Sequence, residues 1–264
     1  MCDTIALMRE ICYKCLRAKD SCLCSNLKEI DSGVKFVFLM HTKEAKRQRT
    51  GTGRLASLAL KDSEIIVGVD FSESARVKEL LSDPQYFPAV LYPDETARTA
   101  DSADFRADLG SKKLLVFVID GTWFCAKKII QKNPAIMALP KLSFSGSYRS
   151  IFTFKKEPRE ECVSTIESCY YLLKELQAAS LAPTTDISPL MSVFKAMVRH
   201  QLEMENARVE GRIPSTHAKD FRYTKKREVP AYLLESAESG NTPSGSKSPA
   251  SAENSALTEK SDQL

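Results

Sequence analysis

The chain has 264 residues, 43% of them hydrophobic, and a formal net charge of +4. This length and composition suit one sizeable folded α/β domain or two small ones. The longest apolar runs are far shorter than the roughly 20 residues of a membrane-spanning helix, and the first ten residues do not have the pattern of a secretory signal. We therefore expect a cytoplasmic protein without a membrane segment. The 30 residues from Glu235 carry a net charge of −3, which leaves +7 on the rest, a balance that attracts phosphate backbones.

Near the N-terminus, a cluster of cysteines predicts a metal site. Four of the eight cysteines fall within thirteen residues, with two, six and one residues between them: Cys12, Cys15, Cys22 and Cys24. Four thiolates at tetrahedral corners suit Zn²⁺, and a closed four-sulfur shell leaves no position open for catalysis. The alternative is a set of free or redox-active thiols. We expect residues 1–30 to form a small knuckle around one structural zinc ion.

From residue 34 onward, short β-branched or aromatic runs alternate with segments of helical periodicity, which is typical of a largely parallel sheet flanked by helices. The runs are apolar on both faces, as in buried strands, and cover residues 34–40, 65–69, 89–92, 114–119 and, as a weaker candidate, 151–154. Helices are predicted at residues 53–60, 75–81, 124–131, 160–179 and 189–209. We expect one α/β domain over residues 31–234. After about Pro230 the chain turns to Ser, Ala, Glu and Gly, and residues 235–264 are predicted to be a disordered tail.

The first predicted strand leads into a basic segment with two glycines. Between His41 and Arg54 there are five Lys or Arg residues and one Glu, a local net charge of +4. Ligands bind at such strand-to-helix junctions in open α/β sheets, and Gly51 and Gly53 permit close approach of the backbone. The segment therefore predicts binding to phosphate or to an RNA backbone. The alternative is a solvent-exposed turn in which Thr50 or Thr52 caps the next helix.

A second junction follows the predicted strand at residues 114–119, where the chain reads Asp120, Gly121, Thr122, Trp123. Asp120 could accept a proton or hold a cationic amine, and Trp123 could stack on a base or line a cofactor pocket. The alternative is that Asp120 or Thr122 caps the helix while Trp123 fills the core. The residue types do not decide between these two interpretations.

Two further segments complete the candidate site. Leu91, Tyr92 and Pro93 end another predicted strand and open a loop with two carboxylates. Later, two arginines, one of them Arg159, precede the sequence CVSTIES, which opens a long predicted helix and contains Ser164, Thr165 and Glu167. The unpaired N–H groups of a helix N-terminus can bind a carboxylate. Ser and Thr at this position can equally be simple caps.

Taken in order, these pieces resemble the DTW-domain family: a CxxC and CxC knuckle, a block from His41 through Glu44 and Arg47 to TGRLA, the LYP loop, D-x-T-W after a strand, and C-x-S-T-x-E. The resemblance covers about residues 12–170. It implies a knotted fold similar to the SPOUT class. It also implies transfer of the 3-amino-3-carboxypropyl group of S-adenosylmethionine to N3 of a tRNA uridine.

The resemblance also implies roles for individual residues. Asp120 is the candidate general base, because the N3 proton must be removed during the transfer. The cofactor-binding candidates are Leu91, Tyr92, Pro93, Asp120, Gly121, Thr122, Trp123, Ser164, Thr165 and Glu167. The RNA-binding candidates are His41, Arg47, Arg49, Arg54 and Arg159. Two other functions remain open, an RNA methyltransferase that uses the same cofactor and a zinc-containing RNA-binding module without catalysis. We expect tRNA as the partner and no obligate protein partner.

Overall fold

A five-stranded sheet forms the centre of the computed structural model, which describes residues 10–46, 51–152, 162–213 and 225–234. Its strands, all parallel, are β1 (Lys35–His41), β2 (Ser63–Gly68), β3 (Tyr86–Leu91), β4 (Lys113–Asp120) and β5 (Lys141–Leu142). The spatial order is β2-β1-β4-β3-β5. The prediction of a largely parallel sheet is confirmed.

Helices cover both faces of the sheet. They are α1 (Thr42–Lys46), α2 (Gly53–Ala59), α3 (Ala75–Ser82), α4 (Ala103–Leu109), α5 (Trp123–Lys132), α6 (Pro134–Met137), α7 (Thr165–Ala178) and α8 (Ser188–Val209). Side chains alternate along a strand, so Phe36 and Phe38 of β1 pack with α2, α4, α7 and α8 in one apolar cluster. Val37 and Leu39 pack with α3, α5 and α6 in the other. The result is a three-layer α/β/α domain.

The structure differs from the sequence prediction at the fifth strand. The chain at Ile151 and Phe152 is irregular, residues 153 and 154 lie outside the described ranges, and the fifth strand is the short β5. Phe152 is apolar because its ring packs edge-on against Phe194 of α8, with 5.1 Å between centroids. The apolar pattern therefore marked a segment that covers the core. The helix predicted at residues 160–179 also starts later than expected. Residues 162–164 are not helical, and α7 begins at Thr165.

The cysteine-rich segment packs directly on the α/β domain. Leu23 and Ile30 are buried in the same cluster as the sheet and α8. The backbone N–H of Ile30 donates to the carbonyl of Ala59, at 2.8 Å, at the end of α2. The tail predicted at residues 235–264 lies outside the described residues. Among the residues that are described, no helix combines the length and the apolar character needed to span a lipid bilayer.

The parallel sheet gathers the sequence motifs at one edge. Because all strands run in the same direction, β1, β3 and β4 end side by side at His41, Leu91 and Asp120. The loops that follow them contain the basic segment, the LYP loop and the D-x-T-W motif. In open α/β sheets this carboxyl edge is where ligands bind.

Candidate functional site

Asp120 joins three of the motifs at the carboxyl edge of the sheet. Asp120 is the last residue of β4 and is only 6% exposed. Thr165, the first residue of α7, donates its hydroxyl to Asp120 Oδ1 at 2.7 Å. Gly53, the first residue of α2, lies so close that a Cβ atom there would be 2.6 Å from the same oxygen. The helix starts of α2 and α7 therefore meet on one carboxylate, and residue 53 must be glycine for this packing to form.

The residues after Asp120 turn the chain into α5 and leave aromatic side chains exposed. Gly121 passes close to the next helix turn, because an added Cβ would lie 3.1 Å from the Cβ of Cys125. Thr122 is the N-cap of α5, but its side chain makes no capping hydrogen bond. Trp123 is 47% exposed, so it does not fill the core. The structural interpretation of this motif therefore holds for the N-cap position of Thr122 but not for Trp123, which it placed in the core.

Glu167 is a second buried carboxylate, in the first turn of α7, and its side chain is fully enclosed. Its Oε2 accepts hydrogen bonds from the backbone N–H of Ser164 at 2.8 Å, from Ser164 Oγ at 2.6 Å and from Ser150 Oγ at 2.7 Å. Its Oε1 accepts from the backbone N–H of Ile151 at 2.8 Å. These four donors compensate the cost of burying the charge. Glu167 thus ties the segment at residues 150–151 to the start of α7.

His41 lies at the end of β1, next to β4, and is buried with 4% exposure. Its Nδ1 accepts a hydrogen bond from the backbone N–H of Lys43 at 3.1 Å, which assigns the proton of the neutral ring to Nε2. Burial lowers the pKa of His41, and the nearby positive charges of Lys128 and Lys43 lower it further. At neutral pH His41 is therefore an uncharged donor, which can hydrogen-bond a ligand but cannot attract a phosphate by charge.

The remaining candidate residues are distributed unevenly around this edge. Leu91 and Tyr92 are half-buried at the end of β3, where the backbone N–H of Tyr92 donates to the carbonyl of Leu142 at 3.0 Å, and Pro93 is exposed. Arg54 follows Gly53 in α2 and is half-buried. The other three RNA-binding candidates, Arg47, Arg49 and Arg159, lie outside the described residues.

The four clustered cysteines are arranged so that they could hold a metal ion. All four sulfur atoms lie within 4.8 Å of one another, with Cys12 and Cys24 3.7 Å apart and Cys15 and Cys22 3.8 Å apart. Backbone N–H groups of Cys15 and Lys14 lower the pKa of Cys12 to about 6, whereas burial and the neighbouring sulfurs raise the pKa of Cys24. A cation among the sulfurs removes this conflict, because it favours the thiolate form of every ligand.

Sequence reasoning missed several residues of this edge. Ser150 and Ile151 contact Glu167 but lie 17 and 16 residues before it in the chain, so no local motif joins them to it. Phe124 was assigned only to a helix, yet it is 64% exposed beside Trp123. Two adjacent large aromatic residues at a strand-to-helix junction were the available signal for this exposed surface.

We predict that replacing Glu167 with Gln destabilises the fold by about 2–3 kcal/mol, because a buried hydrogen-bond network to a charged group loses acceptors. Oε2 accepts three hydrogen bonds and Oε1 one, so an amide NH₂ in either position meets a donor. Urea denaturation measures the change. Glu203→Gln is the control, because Glu203 is exposed and forms only a 4.0 Å ion pair with Arg199. Equal stability of the two variants would contradict the role assigned to Glu167.

The lowered pKa of His41 predicts an acid-dependent loss of stability. The unfolded chain binds a proton at His41 at a higher pH than the folded chain does, so stability falls as the pH drops below about 6.5 towards the folded pKa. His41→Asn keeps an acceptor for the Lys43 N–H but does not titrate. Urea denaturation at pH 7.5 and 5.5 should therefore show a smaller loss in this variant than in the unmodified chain. An identical loss in both proteins would exclude His41 as the source.

Comparison with known proteins identifies a family for the chain. The family model described as the DTW domain matches residues 9–202. Three similar curated proteins are each named tRNA-uridine aminocarboxypropyltransferase 2. The one from Mus musculus is 26% identical over 84% of this chain and 76% of its own length. The one from Drosophila melanogaster is 28% identical over 82% and 84%, and the one from Macaca fascicularis is 24% identical over 85% and 77%.

No solved structure matches the chain significantly. The family match spans the cysteine cluster, the whole parallel sheet, all of α7 and the larger part of α8, which includes every described residue of the candidate site. The chain belongs to the DTW-domain family.

Proposed function

We propose that the protein transfers the 3-amino-3-carboxypropyl group of S-adenosylmethionine to N3 of a uridine in tRNA. The observation that carries the proposal is that three separate family motifs meet at one carboxylate. Thr165 donates a hydrogen bond to the side chain of Asp120, and Gly53 packs against it. The names of the curated relatives support the same reaction. In this transfer a bond forms between N3 of the uridine and the γ-carbon of the aminocarboxypropyl group. The bond from that carbon to the sulfonium sulfur breaks, and a base accepts the N3 proton.

The loops that follow β3, β4 and β5 are proposed to hold the cofactor. Leu91 ends β3, Trp123 begins α5 directly after β4, and Thr165 begins α7, where its hydroxyl contacts Asp120 at the end of β4. Glu167 is proposed to position the start of α7 and not to contact the cofactor, because its carboxylate already accepts four hydrogen bonds within the chain. The cofactor supplies an activated leaving group, so the protein must orient the γ-carbon, and not the methyl group, towards N3.

Asp120 is proposed to take the N3 proton. It is the carboxylate at the meeting point of the motifs, and the hydrogen bond from Thr165 fixes its orientation. A general base within hydrogen-bond reach contributes typically about 10²–10⁴-fold to the rate. Low exposure favours this role, because water competes little for a carboxylate that is 6% accessible.

We also propose that the chain is knotted as in the SPOUT class. In the strand order β2-β1-β4-β3-β5, the connection from β2 to β3 passes the positions of β1 and β4, and the connection from β4 to β5 passes β3. The chain then returns after β5, so that Thr165 contacts Asp120 at the end of β4. A crystallographic trace in which residues 153–161 pass outside the preceding loops would contradict the knot.

Zn²⁺ is the ion that we propose for the cysteine cluster. Tetrahedral Zn–S bonds of about 2.3 Å place neighbouring sulfurs about 3.8 Å apart, close to the 3.7 and 3.8 Å of the two cysteine pairs. The buried guanidinium of Arg17 interacts electrostatically with Cys15, Cys22 and Cys24, which would offset the net negative charge of a four-thiolate zinc centre.

The reaction is tested by incubating the purified protein with unmodified tRNA and S-adenosylmethionine and analysing the nucleosides by mass spectrometry. We expect an aminocarboxypropyl adduct on uridine and a rate about 10²–10⁴-fold lower for Asp120→Asn. Asn keeps an acceptor oxygen for Thr165, so calorimetry should find cofactor binding retained. A methyl adduct would identify the methyltransferase alternative, absence of cofactor binding to the unmodified chain would favour a non-catalytic RNA-binding module, and unchanged turnover of Asp120→Asn would exclude the base assignment.

The metal centre is tested by elemental analysis and thermal unfolding. We expect one zinc ion per chain, loss of zinc in Cys15→Ser, and a lower unfolding temperature for that variant, because metal binding stabilises the knuckle. Cys162→Ser is the matched control, since Cys162 is half-buried and lies far from the cluster in sequence. Full zinc content in Cys15→Ser, or none in the unmodified chain, would refute the proposal.

A further inference from the structure

An aromatic and basic surface lies beside the candidate site, at the first turns of α5. Phe124 is 64% exposed and follows Trp123, which is 47% exposed. The ammonium group of Lys128 lies over the ring of Phe124, 4.5 Å from its centroid. Contiguous exposed apolar surface, unlike a single exposed apolar residue, often marks an interaction site. We call Phe124 and Lys128 the Phe124 platform.

Positive charge surrounds the Phe124 platform. Four exposed lysines, Lys43 and Lys46 of α1 with Lys127 and Lys128 of α5, lie on the two helices that follow β1 and β4. A Cβ at Gly121 would lie 3.5 Å from the Cβ of His41, so the ends of β1 and β4 from which these two helices start are close in space. Within the described residues, none of the four lysines forms an ion pair with a carboxylate. The surface therefore keeps its charge for an external anion.

A largely exposed aromatic ring beside lysines that form no ion pair within the described residues matches the chemistry of single-stranded nucleic acid. Every base has a π-face that stacks on an aromatic ring, and lysines contact the phosphates on either side. A partner helix or an apolar peptide would not use the lysines, and a bare anion would not use the ring. An unstacked nucleotide uses both, and the surface lies only four residues from Asp120.

We propose that the Phe124 platform stacks on a base of the tRNA loop that carries the target uridine, while the surrounding lysines hold its backbone. The inference rests on the proposed function, because it supplies the contact that delivers one uridine to Asp120. It assigns to Phe124 a positioning role in substrate binding and no part in the chemistry. The flanking base stays on α5 while the target base enters the site.

The test measures tRNA affinity and turnover of the full chain and its Phe124 variants. Phe124→Ala should weaken tRNA binding about ten-fold, equivalent to about 1.4 kcal/mol, as for the loss of one stacked base. Phe124→Leu should lose nearly as much, because it keeps apolar area but has no π-face, whereas Phe124→Trp should bind as tightly as the unmodified chain. Lys128→Gln should reduce the slope of log tRNA affinity against log salt concentration by about the contribution of one phosphate contact.

Controls separate this contact from effects on folding and on the cofactor site. S-adenosylmethionine binding should be unchanged in every variant, and Leu234→Ala, which removes an exposed apolar side chain elsewhere, should leave tRNA affinity unchanged. If Phe124→Ala does not fold, the Leu and Trp variants decide the result. Full affinity in Phe124→Leu would show that stacking is not involved and overturn the inference.

The outcomes also separate this inference from the proposed function. An unmodified chain that makes the aminocarboxypropyl adduct, together with a Phe124→Ala variant that binds tRNA normally, overturns the Phe124 platform alone. An unmodified chain that neither binds nor modifies tRNA overturns both proposals.

Discussion

The hydrogen bond from Thr165 to Asp120 connects parts of the chain that are 45 residues apart. It fixes the first residue of α7 against the last residue of β4, and Gly53 brings the start of α2 to the same carboxylate. A buried carboxylate without donors would cost several kcal/mol. The three segments must therefore come together for any of them to be stable at this position, and the shape of the sheet edge depends on this meeting.

Glu167 adds a second link within the same first turn of α7. Its carboxylate, two residues after the position at which Thr165 contacts Asp120, accepts hydrogen bonds from Ser150 and Ile151. Asp120 links the start of α7 to the sheet, and Glu167 links it to the segment after β5. Two such fixed points orient the first turn of α7, and fixed orientation of this kind is what the proposed group transfer would require of a binding site.

Strands and helices with a clear periodic pattern of apolar residues could be predicted from the sequence. The apolar runs of β1 and β4 identified central strands, and long periodic segments identified α7 and α8. The two-residue β5 is too short to give a pattern. The role of Glu167 depends on partners 16 and 17 residues away, and Phe124 became notable only once its exposure was known. The sequence motifs meet at one edge of the sheet, as the predicted order of strands implies, but the partners of their charged groups depend on tertiary contacts that no local pattern reveals.

The strand geometry separates the two sides of the site. Asp120 follows Val118 on the face of the sheet that packs against α2 and α7, whereas His41 follows Leu39 on the face covered by α5. The buried carboxylates thus lie on one side of the end of β4, and the exposed rings and lysines of α5 lie on the other. Gly121 forms the boundary, where a side chain would meet Cys125 and His41. This close packing at Gly121 fixes the start of α5, and with it the exposed Phe124, against the ends of β1 and β4.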